Sequence, residues 1–407
     1  MNNSRTIHGK LLLRNARLVL PHKLAEGASL LIEGDRIARI LERTTNDDDA
    51  RAEEIIELDG ATLFPGFIDA HIHGAVGVDA MEAEAADLHR VALFLAAHGV
   101  TSWLPTLVPA PDVDYRKAAQ AVEQLMREQQ TSMTAAPSAR ALGLHYEGPF
   151  ISSAQCGALR PAYFRAFAAT EDLNALATIQ ESGAIHMMTL APEIAGGVEL
   201  VTELRRRGWV VSIGHTRADV AVLERACAAG ARHMTHFMNA MSPLHHRAPG
   251  PIGWGLLRDD VTCDLIADGV HLDPLMLKLL LRCKQPARLA LISDAVAPAG
   301  LGDGEYEIWG ETIAVAGGRT RNRRGQIAGS VITMSDAVRL MLSLDVAAAD
   351  IALMAATNPA RLLGISDDCG SIEEGKRADL TALDATGNVS LTLIGGRVGY
   401  KTVTSDK

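Results

Sequence analysis

The sequence predicts an α/β protein: a (β/α)₈ TIM-like barrel with a small β-sandwich domain built from both ends of the chain. Three observations carry that prediction. From residue 66 onward, apolar runs of five to eight residues alternate with helical stretches. β-rich segments flank this stretch on both sides. Side chains able to bind a metal stand at the ends of the apolar runs, where barrels keep their chemistry. The 407 residues suffice for a barrel of roughly 250 residues plus a smaller module, and 48% apolar content supplies the core.

Taken in order, Lys10 to Val19 and Ala28 to Ile40 are β-rich, with Glu33-Gly34-Asp35 as a turn. The charged segment Asn46 to Glu54 reads as a solvated loop, and Glu54 to Leu58 as a short strand. The eight barrel strands are then Gly66–His73, Val100–Leu107, Ala141–Glu147, Ile185–Glu193, Val210–His215, His233–Asn239, Asp264–His271 and Leu289–Asp294. Helices are expected over Glu82–Ala97, Asp112–Gln130, Glu171–Glu181, Gly197–Arg207, Arg217–Ala229 and Asp273–Cys283. Ser242 to Gly253, rich in Pro, Gly and His, reads as a long active-site loop. Glu305 to Arg324 is a Gly-rich hairpin. Ser335 caps a helix through Leu344, and a second helix runs from Ala348 to Leu363. The tail returns to strands at Ala378–Leu383, Ser390–Ile394 and Arg397–Tyr400, with Gly395-Gly396 as a hairpin turn. Residues 1–64 and 365–407 are therefore expected to pair into one discontinuous β-sandwich domain, with 65–364 as the barrel domain.

Charged residues at 22% and a net charge of −10 describe an acidic soluble protein and argue against nucleic acid as a partner. Cys156, Cys227, Cys263, Cys283 and Cys369 are scattered and form no CxxC, which suits free thiols in a reducing compartment. Met1-Asn2-Asn3-Ser4-Arg5 carries no apolar signal core. No run approaches the ~18 apolar residues that span a membrane. The expected location is cytoplasmic, with no membrane partner.

His71 and His73 stand one residue apart at the end of the first barrel strand. The side-chain period of a strand is two, so both imidazoles share one face and can chelate one divalent metal. Alone, a His-x-His is commonly a pair of surface histidines. Further ligand-type residues end other strands: Glu147 the third, His215 the fifth, His236 the sixth, His271 the seventh and Asp294 the eighth. Each singly has an ordinary reading as a rim, capping or turn residue. Together, imidazoles and carboxylates converging on one mouth would form a costly desolvated cluster without a cation. A divalent metal site is the economical account.

These residues lie in specific motifs: Pro65-Gly66-Phe67-Ile68-Asp69-x-His71-x-His73-Gly74, His145-x-Glu147-Gly148-Pro149-Phe150, Gly214-His215-Thr216, Thr235-His236-x-x-Asn239-Ala240-Met241, Asp268-Gly269-x-His271, Ser293-Asp294-Ala295 and Ala328-Gly329-Ser330. On them the chain resembles the amidohydrolase superfamily and, within it, the N-acetylglucosamine-6-phosphate deacetylases. The resemblance runs from Asn15-Ala16-Arg17 to Gly395-Gly396-Arg397. Hydantoinases and dihydroorotases bridge their metals with a carboxylated lysine from strand four. Here strand four ends in Ala191-Pro192-Glu193, and Glu147 takes the bridging place.

The resemblance implies that Glu147, His215 and His236 bind the more buried metal. His71, His73 and Asp294 complete a second site that shares Glu147. One or two ions per subunit follow; zinc suits these ligands, with iron, cobalt or manganese as alternatives. Such an ion lowers the pKa of water from about 15.7 towards 7. Asp294 is the implied catalytic residue, taking the proton of the attacking water and delivering it to the leaving amine. His271, Asn239 and Ala240 are implied to meet the sugar, Arg247 a phosphate, and Ala328 and Gly329 to line the pocket through their backbone. The implied activity is metal-dependent removal of an acetyl group from an amino sugar phosphate by a homodimer. One departure stands out: Gly157-Ala158-Leu159-Arg160-Pro161 places Leu159 where relatives carry a substrate-contacting histidine. A leucine cannot hydrogen-bond, so a different N-acyl amino sugar or other N-acyl compound is the alternative substrate.

Overall fold

A computed structural model describes residues 9–42, 52–131 and 136–402. Met1–Arg5 and the part of the expected loop from Asn46 through Arg51 lie outside these residues. The barrel strands run Phe67–Ile72, Val100–Leu107, Gly143–Glu147, Ile185–Leu190, Val210–Ile213, His233–Met234, Thr262–Ile266 and Leu289–Ile292. Each pairs in parallel with the next. The ring closes where the Asp294 N–H donates to the His71 carbonyl at 2.9 Å and the His73 N–H to the Ala295 carbonyl at 2.8 Å. Every residue of Val100–Leu107 is buried, as expected of a parallel strand covered on both faces.

Helices cover the barrel at Ala85–Ala97, Asp112–Thr131, Gly197–Arg206, Val220–Ala228, Gly250–Leu257 and Pro274–Lys284. In the first, Leu88, Val91, Ala92 and Leu95 form the buried stripe at helical spacing. Asp219 and Asp273 cap two of the others by accepting from the Val222 and Leu275 N–H groups at 2.9 and 2.8 Å.

Four expectations change in detail. Over Glu171–Glu181 there is no α-helix, only a 3₁₀ turn at Thr170–Ala175. Leu173, Leu176 and Ile179 are buried at intervals of three, a 3₁₀ rather than an α-helical period. Barrel side chains satisfy the following backbone: the Tyr146 hydroxyl donates to the Ala177 carbonyl, and the Ile179 N–H donates to His186 Nε2. The expected loop Ser242–Gly253 gives way to a helix at Gly250. Pro251 fits a first turn, where its missing N–H costs nothing. The cap of Met334–Ser343 is Thr333, not Ser335; Thr333 and Asp336 exchange hydrogen bonds in a capping box. The last helix, Ala348 to Leu362, contains a π-helical turn at Leu353–Thr357.

The two ends of the chain meet in one eight-stranded sheet. Its order is Arg397–Lys401, Val389–Ile394, Leu380–Leu383, Thr62–Pro65, Lys10–Val19, Leu24–Glu33 and Arg36–Leu41, with Glu54–Glu57 beside Lys10–Val19. Leu11, Leu13, Leu30, Ile32, Leu380 and Leu393 share one core there, while Leu12, Leu31 and Leu41 form another on the alternate positions. After the eighth barrel strand, Gly304–Ile308, Glu311–Ala316 and Arg319–Asn322 make a small antiparallel sheet. It packs through Ile308 and Ile313 onto Val296 and Ala328.

Candidate active site at the barrel mouth

His71 and His73 come from the body of strand one and its end, and the period of two aims both rings inward. Their Nε2 atoms lie 3.2 Å apart. His215, His236 and Asp294 arise differently. Each stands two residues beyond the end of its strand, with φ of +48°, +30° and +50°. This left-handed backbone costs non-glycine residues about 1–3 kcal/mol and clusters at functional sites. Here it turns each side chain back over the mouth.

Glu147 joins the two sets. Its Oε1 lies 2.8 Å from His215 Nε2 and 2.9 Å from His236 Nε2, and its Oε2 lies 3.3 Å from His73 Nε2. Asp294 Oδ1 is 3.4 Å from His71 Nε2 and 3.2 Å from His73 Nε2. All six residues are buried; the most exposed, Asp294, keeps only 7% of its surface. Among the described residues two groups could hold a metal ion: His71, His73 and Glu147, and Glu147, His215 and His236.

The donor chemistry fits divalent cations. His215 Nε2 and His236 Nε2 face each other at 3.1 Å around one carboxylate oxygen, so their lone pairs converge. The far sides of the rings are partly fixed: His215 Nδ1 lies 2.8 Å from the Gln155 carbonyl, and His73 Nδ1 lies 3.2 Å from that of Thr106. Burial drives the His71 imidazole well below its ordinary pKa. Burial also pulls His73 down, but hydrogen bonds to Asp294 and Glu147 outweigh it and hold the ring at about 10. Burial would raise Glu147, yet the surrounding imidazoles keep it well below the carboxylate range. The cluster therefore demands positive charge between its carboxylates, which a divalent ion would supply.

The other residues singled out by sequence divide. Asn239 and Ala240 stand three and four residues after His236, and the Thr216 N–H donates to the Ala240 carbonyl across to strand five. His271 is fixed by Asp268, with Nδ1 2.6 Å from the carboxylate, which leaves Nε2 for another partner. The Ser330 N–H donates to the Asp294 carbonyl at 2.8 Å, so Ala328-Gly329-Ser330 lies against the Asp294 corner. Gly329 is required there: a Cβ would approach Val296 at 2.6 Å and the Asp294 carbonyl at 2.9 Å. Arg247 is not drawn into the cluster. It is exposed, with its Nε donating to His246 Nε2 at 3.0 Å. Leu159 is buried in the main core.

Four neighbours were given no role by the sequence reading, although Asp69, His145 and Gly157 stand within its motifs. His145 packs edge-on against His71 and bonds Thr106 and Thr189. Asp69 takes the Ser293 hydroxyl at 2.5 Å beneath the site, and burial pushes its carboxyl up to about 7. Gly157 lies against the His215 ring. Trp309, at the tip of the hairpin, meets the His73 ring edge-on with centroids 5.2 Å apart. The period-two pattern of strand three offered a signal for His145, two residues before Glu147 on the same face. Nothing local pointed to Trp309.

The family model for amidohydrolases matches residues 62–399. The chain belongs to the amidohydrolase family. It is 34% identical over 400 residues to N-acetylglucosamine-6-phosphate deacetylase of Bacillus subtilis (strain 168), covering 98% of this chain and 99% of the relative. It is 36% identical over 345 residues to N-acetylgalactosamine-6-phosphate deacetylase of Escherichia coli O157:H7, covering 84% and 89%. A mutant N-acetyl-D-glucosamine-6-phosphate deacetylase from Mycobacterium smegmatis, solved in complex with N-acetyl-D-glucosamine-6-phosphate, superposes with a TM-score of 0.84 at 31% identity, covering 96% of this chain and 99% of that one. In this amidohydrolase the carboxylate shared between the two imidazole pairs belongs to Glu147 on strand three.

Proposed function

We propose that this amidohydrolase removes the acetyl group from N-acetylglucosamine-6-phosphate, giving glucosamine-6-phosphate and acetate. The observation that carries the proposal is Glu147 shared between two buried imidazole pairs with Asp294 beside them. The kinship to the Bacillus subtilis and Mycobacterium smegmatis deacetylases supports the choice of substrate. Zinc suits the ligand set, with iron, cobalt or manganese as alternatives. Glu147, His215 and His236 would hold one ion; His71, His73, Asp294 and the shared Glu147 would hold a second.

Held there, a divalent ion would supply Lewis-acid polarisation of the amide carbonyl and a water made nucleophilic at neutral pH. Asp294 Oδ1 takes the proton of the attacking water. The same carboxyl then gives that proton to the amine nitrogen, which leaves poorly as an anion. His271, oriented by Asp268, presents Nε2 to a sugar hydroxyl. Asn239 and Ala240 offer backbone and amide groups beside it, Ala328 and Gly329 line the pocket, and Arg247 receives the phosphate. Burial of the six-residue cluster strengthens the electrostatic interactions within it.

The remaining parts of the reading are a cytoplasmic homodimer, with residues 1–64 and 365–407 forming a discontinuous β-domain around the catalytic barrel of 65–364. Among the described residues no helix is long and apolar enough to cross a membrane. A second substrate is favoured by the Escherichia coli relative together with the buried Leu159: the galacto epimer, N-acetylgalactosamine-6-phosphate. Amine release should be measured for both phosphates and for unphosphorylated N-acetylglucosamine, using protein of known metal content. Higher kcat/KM for the gluco phosphate is expected. Preference for the unphosphorylated sugar would overturn the leading reading.

A further inference from the structure

Trp309 occupies a place that a turn does not favour. Ile308 pairs with Glu311, so Trp309-Gly310 is a two-residue hairpin loop. Both loop residues have positive φ, +53° and +75°. That is the backbone of a type I′ turn, whose preferred first residue is Asn, Asp or Gly. A bulky side chain in the left-handed region is a true outlier. The turn itself therefore gains nothing from tryptophan, and the cause must lie in what the ring touches.

The indole meets the His73 ring edge-on, centroids 5.2 Å apart at 79°. Among the described residues the indole N–H has no hydrogen-bond partner, and the ring packs against the apolar cluster that includes Val296 and Ile308. Beyond the indole, His73 Nδ1 lies 3.2 Å from the Thr106 carbonyl, while Nε2 faces His71, Glu147 and Asp294 within the candidate metal group. The hairpin base is anchored by Ile308 and Ile313 in the apolar cluster with Val296 and Ala328. A ribbon rooted beside strand eight thus reaches the His73 end of the neighbouring strand one.

We propose that Trp309 is a positioning residue which clamps His73 and thereby builds the strand-one metal group. The strain accepted in the turn is repaid in the fixed orientation of that imidazole. Groups that orient a metal-binding histidine typically change metal affinity by about 10–100-fold. The inference rests on the two-ion reading of the site given above.

The test is zinc binding by equilibrium dialysis with elemental analysis, on the parent and on Trp309→Asn and Trp309→Phe, each checked for folding by circular dichroism. Asn-Gly is the pair the turn prefers, so Trp309→Asn keeps the hairpin while removing the ring. Two equivalents are expected on the parent. In Trp309→Asn the weaker equivalent should bind about 10–100-fold less tightly, with the other unchanged. Trp309→Phe, which restores an aromatic edge, should recover most of that loss. Unaltered binding in Trp309→Asn, or equal loss of both equivalents, overturns the clamp. A parent that binds one equivalent also overturns it but leaves the deacetylase reading standing. A parent that binds no divalent metal refutes both.

Discussion

The two halves of the cluster are made by different means. His71 and His73 are placed by strand one, and their common direction follows from a repeat of two. His215, His236 and Asp294 each lie past a strand end, in left-handed backbone, and are brought together by the closure of the barrel. The first half is inexpensive in conformational energy and simple to encode. The second half carries strain at three corners and depends on the whole ring being in register. Strain persists only where surrounding structure over-determines it. On the proposed mechanism the strained half carries the core chemistry and the strand-one pair is the more dispensable.

The sharpest way to break the comparison is to remove what the halves share. Glu147→Gln should lose both metal equivalents by elemental analysis and lower kcat/KM by about 10⁴-fold or more, since a buried ligand set loses its bridging charge. If only one equivalent is lost, the two halves are independent and Glu147 is no bridge. Asp294→Asn comes next: turnover should fall about 10²–10⁴-fold, the usual worth of a proton-transfer group, with at least one equivalent retained. Replacing His71 and His73 together by Ala should lower metal content from two equivalents to one, while activity falls by only about tenfold. An inactive double variant that still holds one full equivalent would reverse the ranking of the halves. The smallest effect concerns strain itself. Ala240 has φ of +48°, so Ala240→Gly should raise stability by about 0.5–1 kcal/mol in denaturant unfolding, the relief of a left-handed alanine less the entropy of glycine.

Much of this was legible in the sequence because the signals are short-range. Parallel barrel strands are buried on both faces, so they read as continuous apolar runs such as Val100–Leu107. His-x-His within a strand can be read without tertiary information. The errors fall where tertiary contacts outvote local pattern. Residues Glu171–Glu181 have helix-forming composition, but Tyr146 and His186 hold that backbone in another shape. The glycines and prolines of 249–255 suggest a loop, yet Gly255 is small because a Cβ would meet Met234 at 2.6 Å and Phe237 at 2.7 Å. Arg247 could be assigned by motif, while its side chain stays with His246. Trp309 was invisible because its partner, His73, is 236 residues away in sequence, a distance no periodicity spans.

The sheet formed by the two ends of the chain sets a clock on the making of the protein. Thr62–Pro65 leads directly into barrel strand one, and its partner in the sheet is Leu380–Leu383. At a synthesis rate of about 5–20 residues per second, some 16 to 60 s separate the emergence of the two partners. For that interval Leu63 and Phe64 have Lys10–Val19 on one side and lack their second partner strand, and strand one waits for the corner at Asp294 that closes the ring. The sheet is completed only as Arg397–Lys401 arrives, so this domain locks after the whole barrel has been made.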